Sequence, residues 1–223
     1  MKRAVPYVTG ESLAAATDGW LADVRAVTKP RPQLTLRPKR CALLVLDLVR
    51  YFADPKGRAF LPAAPAVLPS VLRLVEAFRR TGGPVCFTRH GHDGPEDLGM
   101  LGRFYPGDFI REGQPESELI PALVPRPGEA VLRKKTYDAF VGTGLEDWLR
   151  ARGAEQVLVA GVLTHLCCET TARAAFVRGF EVFFAADATA TSNERLHLGA
   201  LVALADGFAG VVRTTEVEAS CAG

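Results

Sequence analysis

An acid, a lysine doublet and a cysteine doublet, far apart in the chain, carry side chains that could together perform nucleophilic chemistry. The acid is Asp47, directly after the apolar run 41–46. The lysines are Lys134-Lys135, after the run 129–133. The cysteines are Cys167-Cys168, a few residues beyond the run 156–160 and Gly161. A free thiol has a pKa of about 8.5 and is a weak nucleophile until a base, a cation or a helix N-terminus helps to ionise it. A carboxylate can take that proton and later deliver it to a leaving group. An ammonium can hold the carboxylate and thiolate charges together. Taken singly, each residue has a plainer explanation. A cysteine after a strand is usually core, an aspartate there is often a turn former, and a lysine at a strand end is usually solvated. Their shared position after strand-like runs sets them apart.

Those runs also define the architecture. Segments 41–46 (CALLVL), 84–88, 129–133, 156–160, 180–185 and 210–213 read as strands, the first being continuously apolar as in a strand buried on both faces. Helical periodicity covers 67–80, with Val71, Leu74, Val75 and Phe78 at core spacing, and continues in 143–152, 165–178 and 194–205. Strands alternating with helices predict an α/β fold: a three-layer α/β/α arrangement on a mostly parallel, doubly wound six-stranded sheet. Ligands bind such sheets outside the carboxyl ends of the strands, so the acid, amine and thiol should converge on one edge. Asp187, after the fifth strand, reads as a structural turn acid.

Residues 1–40 stand apart as an N-terminal arm, and 41–223 read as one domain. Within the arm, 12–24 forms a helix with Leu13, Trp20, Leu21 and Val24 on one side, and Lys29-Pro30-Arg31-Pro32 is a stiff connector. The arm should pack on the domain or on a neighbouring subunit. Segment 89–128 breaks the alternation. It is dense in Gly and Pro, and unstructured stretches beyond about 12 to 15 residues are usually functional. It is expected to wall a substrate pocket and to carry a short helix around 116–119.

Other residues are assigned by position. Phe52, Tyr137 and Phe140 are expected as pocket walls, and Arg89, His90 or His92 as contacts for a polar substrate group. His90 and His92 alternate and could share a face, but no third ligand of clear spacing accompanies them, so no metal is expected. His165 should help to fix its loop, and His197 should lie on a helix surface. Cys168 is expected in packing, with Cys41, Cys86 and Cys221 inert.

Composition narrows the field further. The 223 residues are 48% hydrophobic and 23% charged, too apolar for disorder. With 27 Lys+Arg against 25 Asp+Glu the net charge is +2, which removes the electrostatic reason to expect nucleic acid or an anionic membrane as partner. No apolar stretch approaches the roughly 18 to 20 residues that span a bilayer. Lys2 and Arg3 have no apolar run behind them, so a cytoplasmic location is expected. Five scattered cysteines without a CxxC pair fit free thiols in a reducing compartment.

Three ordered blocks carry a resemblance. They are Leu43-Leu-Val-Leu-Asp47-Leu-Val-Arg-Tyr-Phe52, Gly128-Glu-Ala-Val-Leu-Arg-Lys134-Lys-Thr-Tyr-Asp-Ala-Phe140 and Gly161-Val-Leu-Thr-His-Leu-Cys-Cys-Glu-Thr-Thr-Ala-Arg173. Together they resemble the isochorismatase-like cysteine hydrolases, which include nicotinamidases and N-carbamoylsarcosine amidases, over about Cys41 to Glu216. The resemblance implies a catalytic triad of Asp47, Lys134 and Cys167, choosing one member of each doublet. It also implies a cis peptide at Val162–Leu163 and an oxyanion hole from the backbone N–H groups of Leu163 and Cys167. Such preorganised donors are typically worth about 2.7 to 4 kcal/mol of barrier.

The function expected is cysteine-dependent hydrolysis of a C–N bond in a small amide or carbamoyl substrate through a thioester, without a cofactor, by a homodimer or homotetramer. Two departures refine it. Metal-dependent nicotinamidases carry histidines that are missing here between Phe52 and Thr81, which points away from a nicotinamidase and from a metal. Isochorismatases usually have a small residue in place of Cys167 and a Gln in place of Val49. The alternatives are an isochorismatase-type vinyl ether hydrolase, with Asp47 as general acid and Cys167 dispensable, and a non-catalytic binding module on the same fold.

Overall fold

The computed structural model describes residues 5–30 and 34–222. Lys2 and Arg3, and Arg31 and Pro32 of the expected connector, lie outside the described residues. The strands are β1 (Cys41–Leu46), β2 (Val85–His90), β3 (Ala130–Lys134), β4 (Gln156–Val162), β5 (Glu181–Ala190) and β6 (Ala209–Val212). They form one sheet of order β3-β2-β1-β4-β5-β6, parallel at every pairing. The chain winds outward from β1 to β3, returns to β4, and winds outward the other way. The order therefore reverses between β1 and β4, where open α/β sheets form their ligand crevice. Every residue of β1 is buried, as its unbroken apolar sequence requires of a strand covered on both faces.

Around the sheet lie α1 (Leu13–Val27), α2 (Arg50–Ala53), α3 (Ala64–Thr81), α4 (Leu101–Phe104), α5 (Leu145–Ala151), α6 (Glu169–Val177), α7 (Glu194–Gly207) and α8 (Thr214–Ala222). The predicted face of α1 (Leu13, Trp20, Leu21 and Val24) is buried, packed on α7 and β5 of the same chain. Pro65 starts α3 earlier than expected, because proline suits a first helical turn whose N–H groups lack helical partners. Gly82, at φ 71°, ends that helix. Among the described residues, no helix is long and apolar enough to cross a membrane.

Three expectations are corrected. The helix around 116–119 is only a 3-10 turn, Pro115–Ser117. The helix over 165–178 is divided into a π turn, Thr164–Cys168, followed by α6. Asp187 lies inside β5 rather than in a turn; β5 bulges by three extra residues opposite Val159–Gly161 of β4 and continues to Ala190. Its Oδ1 accepts from the N–H of Thr214 (2.8 Å) and from its hydroxyl (2.9 Å), fastening the start of α8, a helix that sequence periodicity did not reveal.

Candidate active site

Asp47 leaves β1 at φ 51°, a left-handed conformation that aspartate tolerates better than most residues. Its carboxylate is fully buried. Oδ1 accepts from the Thr88 hydroxyl on β2 at 2.7 Å, and the Asp47 N–H donates to the Thr88 carbonyl at 3.2 Å, so two adjacent strands aim the side chain. Across the switch point, Gly161 has φ 113°, and a Cβ there would run into the Leu46 backbone. Only glycine permits this approach of β4 to β1, which brings the following turn close to Asp47. That turn contains a cis peptide at Val162–Leu163. The Leu163 carbonyl accepts from the N–H groups of Leu166 and Cys168, and Cys167 follows, 3% exposed.

Lys134 closes β3 with its side chain turned inward. Nζ donates to the Thr136 carbonyl (2.8 Å), Cys167 Sγ (3.2 Å) and His90 Nδ1 (3.2 Å). Asp47 Oδ2 lies closer still, 2.7 Å from Nζ, so four acceptors share the three ammonium hydrogens. The Cys167 thiol is a further hydrogen-bond partner of the Asp47 carboxylate. Lys135 faces outward to Asp93 (2.9 Å) and Asp97 (2.7 Å). Cys168 joins the apolar core. The structure thus distinguishes the members of both doublets by which way they point.

Charge at the site is set by burial and by these neighbours. Burial would raise the Asp47 pKa, but the Lys134 ammonium holds it below the ordinary carboxylate range. Burial would lower that of Lys134, and the Asp47 charge outweighs it, so the amine stays protonated. Burial pushes the Cys167 thiol up to about 12; Lys134 opposes this, while the Asp47 charge adds to it. The resting set is therefore carboxylate, ammonium and neutral thiol. The sequence suggested that a cation and a helix N-terminus would ionise the sulfur. Here desolvation wins, and the thiol stays neutral beside the Asp47 carboxylate.

A cavity of about 250 Å³ opens over Cys167. Of the residues expected at a pocket, Phe52, His90, His92, Tyr137 and Leu163 line it. Segment 89–128 walls it as expected, supplying Leu98, Leu101, Tyr105, Phe109 and Ile110. Arg89 and Phe140 do not belong to the lining. Arg89 precedes His90 on β2, so alternation turns it to the other face, where it pairs with Glu112 at 2.7 Å. Phe140 is buried, its ring centroid 6.2 Å from that of Phe180, beneath the Arg178 guanidinium. Tyr51 and Asp108 line the cavity unforeseen, joined by a 2.7 Å hydrogen bond from the Tyr51 hydroxyl. That contact spans a loop, and no local pattern announces it.

The remaining histidines flank the turn that carries Cys167. His165 Nδ1 meets the Thr191 hydroxyl at 2.7 Å and ties down the loop. His197, expected on a surface, is fully buried. Its Nδ1 lies 3.0 Å from the Thr164 hydroxyl, and its ring is 4.4 Å from that of Trp20, because α1 covers this face of α7.

Among the described residues, Asp47, His90 and Cys167 are the one group that could present three metal-ligating atoms to a common point. They do not fit a metal, because Lys134 Nζ already makes the cationic contact with all three.

A buried acid–ammonium–thiol set at the switch point of a doubly wound sheet, under an apolar cavity, is the frame of a hydrolase. The Isochorismatase domain family matches residues 41–216, and the chain belongs to that family. It is 45% identical over 188 residues to Nicotinamidase 3 of Arabidopsis thaliana, covering 83% of this chain and 90% of that protein. A cysteine hydrolase from Pseudomonas syringae superposes with a TM-score of 0.83 at 27% identity, covering 87% of this chain and 98% of that one. A pyrazinamidase of Pyrococcus horikoshii, solved in complex with zinc, gives 0.69 at 27% identity over 78% and 99% of the two chains. The similarity to a nicotinamidase runs against the sequence reading, which set nicotinamidases aside for want of histidines between Phe52 and Thr81.

Proposed function

We propose that this isochorismatase-family hydrolase cleaves the C–N bond of a small, uncharged aromatic carboxamide of the nicotinamide class, with Cys167 as nucleophile. The observation that carries this is the buried Asp47 carboxylate, paired with the Lys134 ammonium and next to the neutral Cys167 thiol on the floor of an aromatic cavity. As Sγ attacks the carbonyl carbon, the thiol proton passes to Oδ2. The developing oxyanion faces the backbone N–H groups of Leu163 and Cys167. Asp47 then gives the proton to the amide nitrogen, the C–N bond breaks, and ammonia leaves a thioester on Cys167. Water gives a proton to Asp47 and attacks; the C–S bond breaks, and the thiolate recovers its proton. Lys134 holds the charges on both partners throughout.

The cavity supports the choice of substrate. None of its lining residues is Lys or Arg, and Asp108 is among them. An isochorismate-like acid would bring carboxylates to a wall with no cation, whereas a neutral ring would meet Phe52, Tyr105, Phe109 and Tyr137. The similarity to a protein called Nicotinamidase 3 supports the same class. In this reading 41–223 form the catalytic domain, with 1–40 as an arm. Copies associate as a homodimer or homotetramer through apolar surface such as Met100 and Phe104, 62% and 75% exposed. The test is product release. Nicotinamide and related carboxamides should yield ammonia, and isochorismate should yield no pyruvate. Pyruvate without ammonia would replace this reading with vinyl ether hydrolysis.

A further inference from the structure

A chain of hydrogen bonds runs outward from the site through two histidines that the proposed proton transfers do not use. Lys134 Nζ lies 3.2 Å from His90 Nδ1, His90 Nε2 lies 2.8 Å from His92 Nε2, and His92 Nδ1 lies 3.2 Å from the Asp97 carbonyl oxygen. Both ends of the chain fix its direction. An ammonium has hydrogens to give and no lone pair, so His90 Nδ1 must accept. A carbonyl has lone pairs and no hydrogen, so His92 Nδ1 must donate. Between these ends, His90 carries its hydrogen on Nε2 and gives it to His92 Nε2, while His92 carries its own on Nδ1. One arrangement of two neutral rings satisfies every contact. A second proton on His90 would face the ammonium, and one on His92 would face the His90 N–H.

The surroundings favour neutral rings. His90 is driven down to about 3 by burial and by the Lys134 ammonium, with Asp47 opposing and His92 adding a little. His92 is lowered by burial, against Asp97 and with Lys135 and Lys134. All four ring nitrogens are then committed to this chain.

We propose that His90 and His92 are positioning residues, a tautomer-locked pair that aims the Lys134 ammonium at Cys167 and Asp47 and ties it to the cavity wall at Asp97. The Lys134 ammonium can rotate about its last bond. Thr136 takes one hydrogen and His90 another, which leaves the third for Cys167 Sγ and Asp47 Oδ2. With the acceptor at His90 Nδ1 removed, the ammonium turns and that direction is lost. Asp97 adjoins Leu98, a lining residue, so the seat of the wall and the aim of the lysine are mechanically joined. The inference rests on the proposed roles of Asp47, Lys134 and Cys167.

Two-bond proton–nitrogen correlation spectra of the substrate-free protein near neutral pH test it directly, with only four histidines to assign. His90 should appear as the Nε2–H tautomer and His92 as the Nδ1–H tautomer. Either ring in the opposite tautomer, or doubly protonated, overturns the proposal. In kinetics, His92→Leu should lower kcat about ten- to a hundredfold while KM changes little, as lost alignment predicts. A raised KM at unchanged kcat, or no change at all, overturns it. His90→Asn, whose Oδ1 can stand in for Nδ1 toward Lys134, should retain more kcat than His90→Leu; equal losses overturn it. The spectra need no substrate, so their failure is distinct from a failure of the amide-hydrolysis reading.

Discussion

Two buried aspartates sit toward the carboxyl ends of strands in the same sheet, and they have opposite fates. Asp187 on β5 spends Oδ1 on the N–H and hydroxyl of Thr214, and the rim there is closed by α8. Asp47, after β1, accepts from the Thr88 hydroxyl at Oδ1 and turns Oδ2 to the Lys134 ammonium, beside the Cys167 thiol. Both are buried polar groups at the edge where such folds bind ligands. Burial therefore does not distinguish the two. What distinguishes them is the company of an ammonium and a thiol, which the proposed proton transfers require.

Breaking that contrast should give the largest effect. Asp47→Asn removes the proton acceptor and should lower kcat by about 10²- to 10⁴-fold. Asp187→Asn keeps an Oδ1 acceptor for Thr214 and should leave kcat near the wild-type value, at a stability cost of about 1 kcal/mol in denaturant unfolding. Equal kinetic losses in the two variants would remove the distinction.

The lysine doublet sharpens it next. Lys134→Gln leaves the Asp47 charge buried without its partner, which typically costs about 3 to 5 kcal/mol, and should abolish turnover. Lys135→Gln removes solvent-screened contacts with Asp93 and Asp97 and should leave the thermal midpoint and kcat almost unchanged.

A smaller effect concerns pH. The folded pKa of Asp47 lies below its unfolded value of about 3.9, so its stabilising share is complete above that value and fades as pH falls through the folded one. That of Lys134 lies above its unfolded value of about 10.4, so its share is complete below that value and fades as pH rises through the folded one. Urea midpoints should decline at both extremes, and Asp47→Asn should flatten the acid decline. The neutral Cys167 thiol should also add no ultraviolet thiolate absorbance, relative to Cys167→Ala, between about pH 7 and 9, since burial holds its pKa near 12.

Much of this was legible in the sequence because it is local. Residues 41–46 announce a buried strand by being apolar throughout, and the core spacing of Val71, Leu74, Val75 and Phe78 announces α3. The ordered blocks around Asp47, Lys134 and Cys167 pointed to three residues that the structure does bring together. What stayed hidden depends on partners distant in sequence. His197 looks like helix surface until Trp20, from the arm, covers it. Asp187 looks like a turn acid until β5, with three extra residues opposite Val159–Gly161 of β4, runs on past it. Arg89 and His90 are neighbours with similar polarity, and only strand alternation, once β2 is placed, sends one to Glu112 and the other to Lys134. The resting state of the sulfur could not be read either, since desolvation is a property of the packed site.

The central claim is covalent catalysis by Cys167, and the most direct measurement is mass spectrometry of enzyme quenched in acid during turnover of nicotinamide. An acyl adduct, heavier by the nicotinoyl group and confined to the peptide containing Cys167, is the predicted result. Undiminished turnover by Cys167→Ala, with no adduct on the wild-type peptide, would contradict the account.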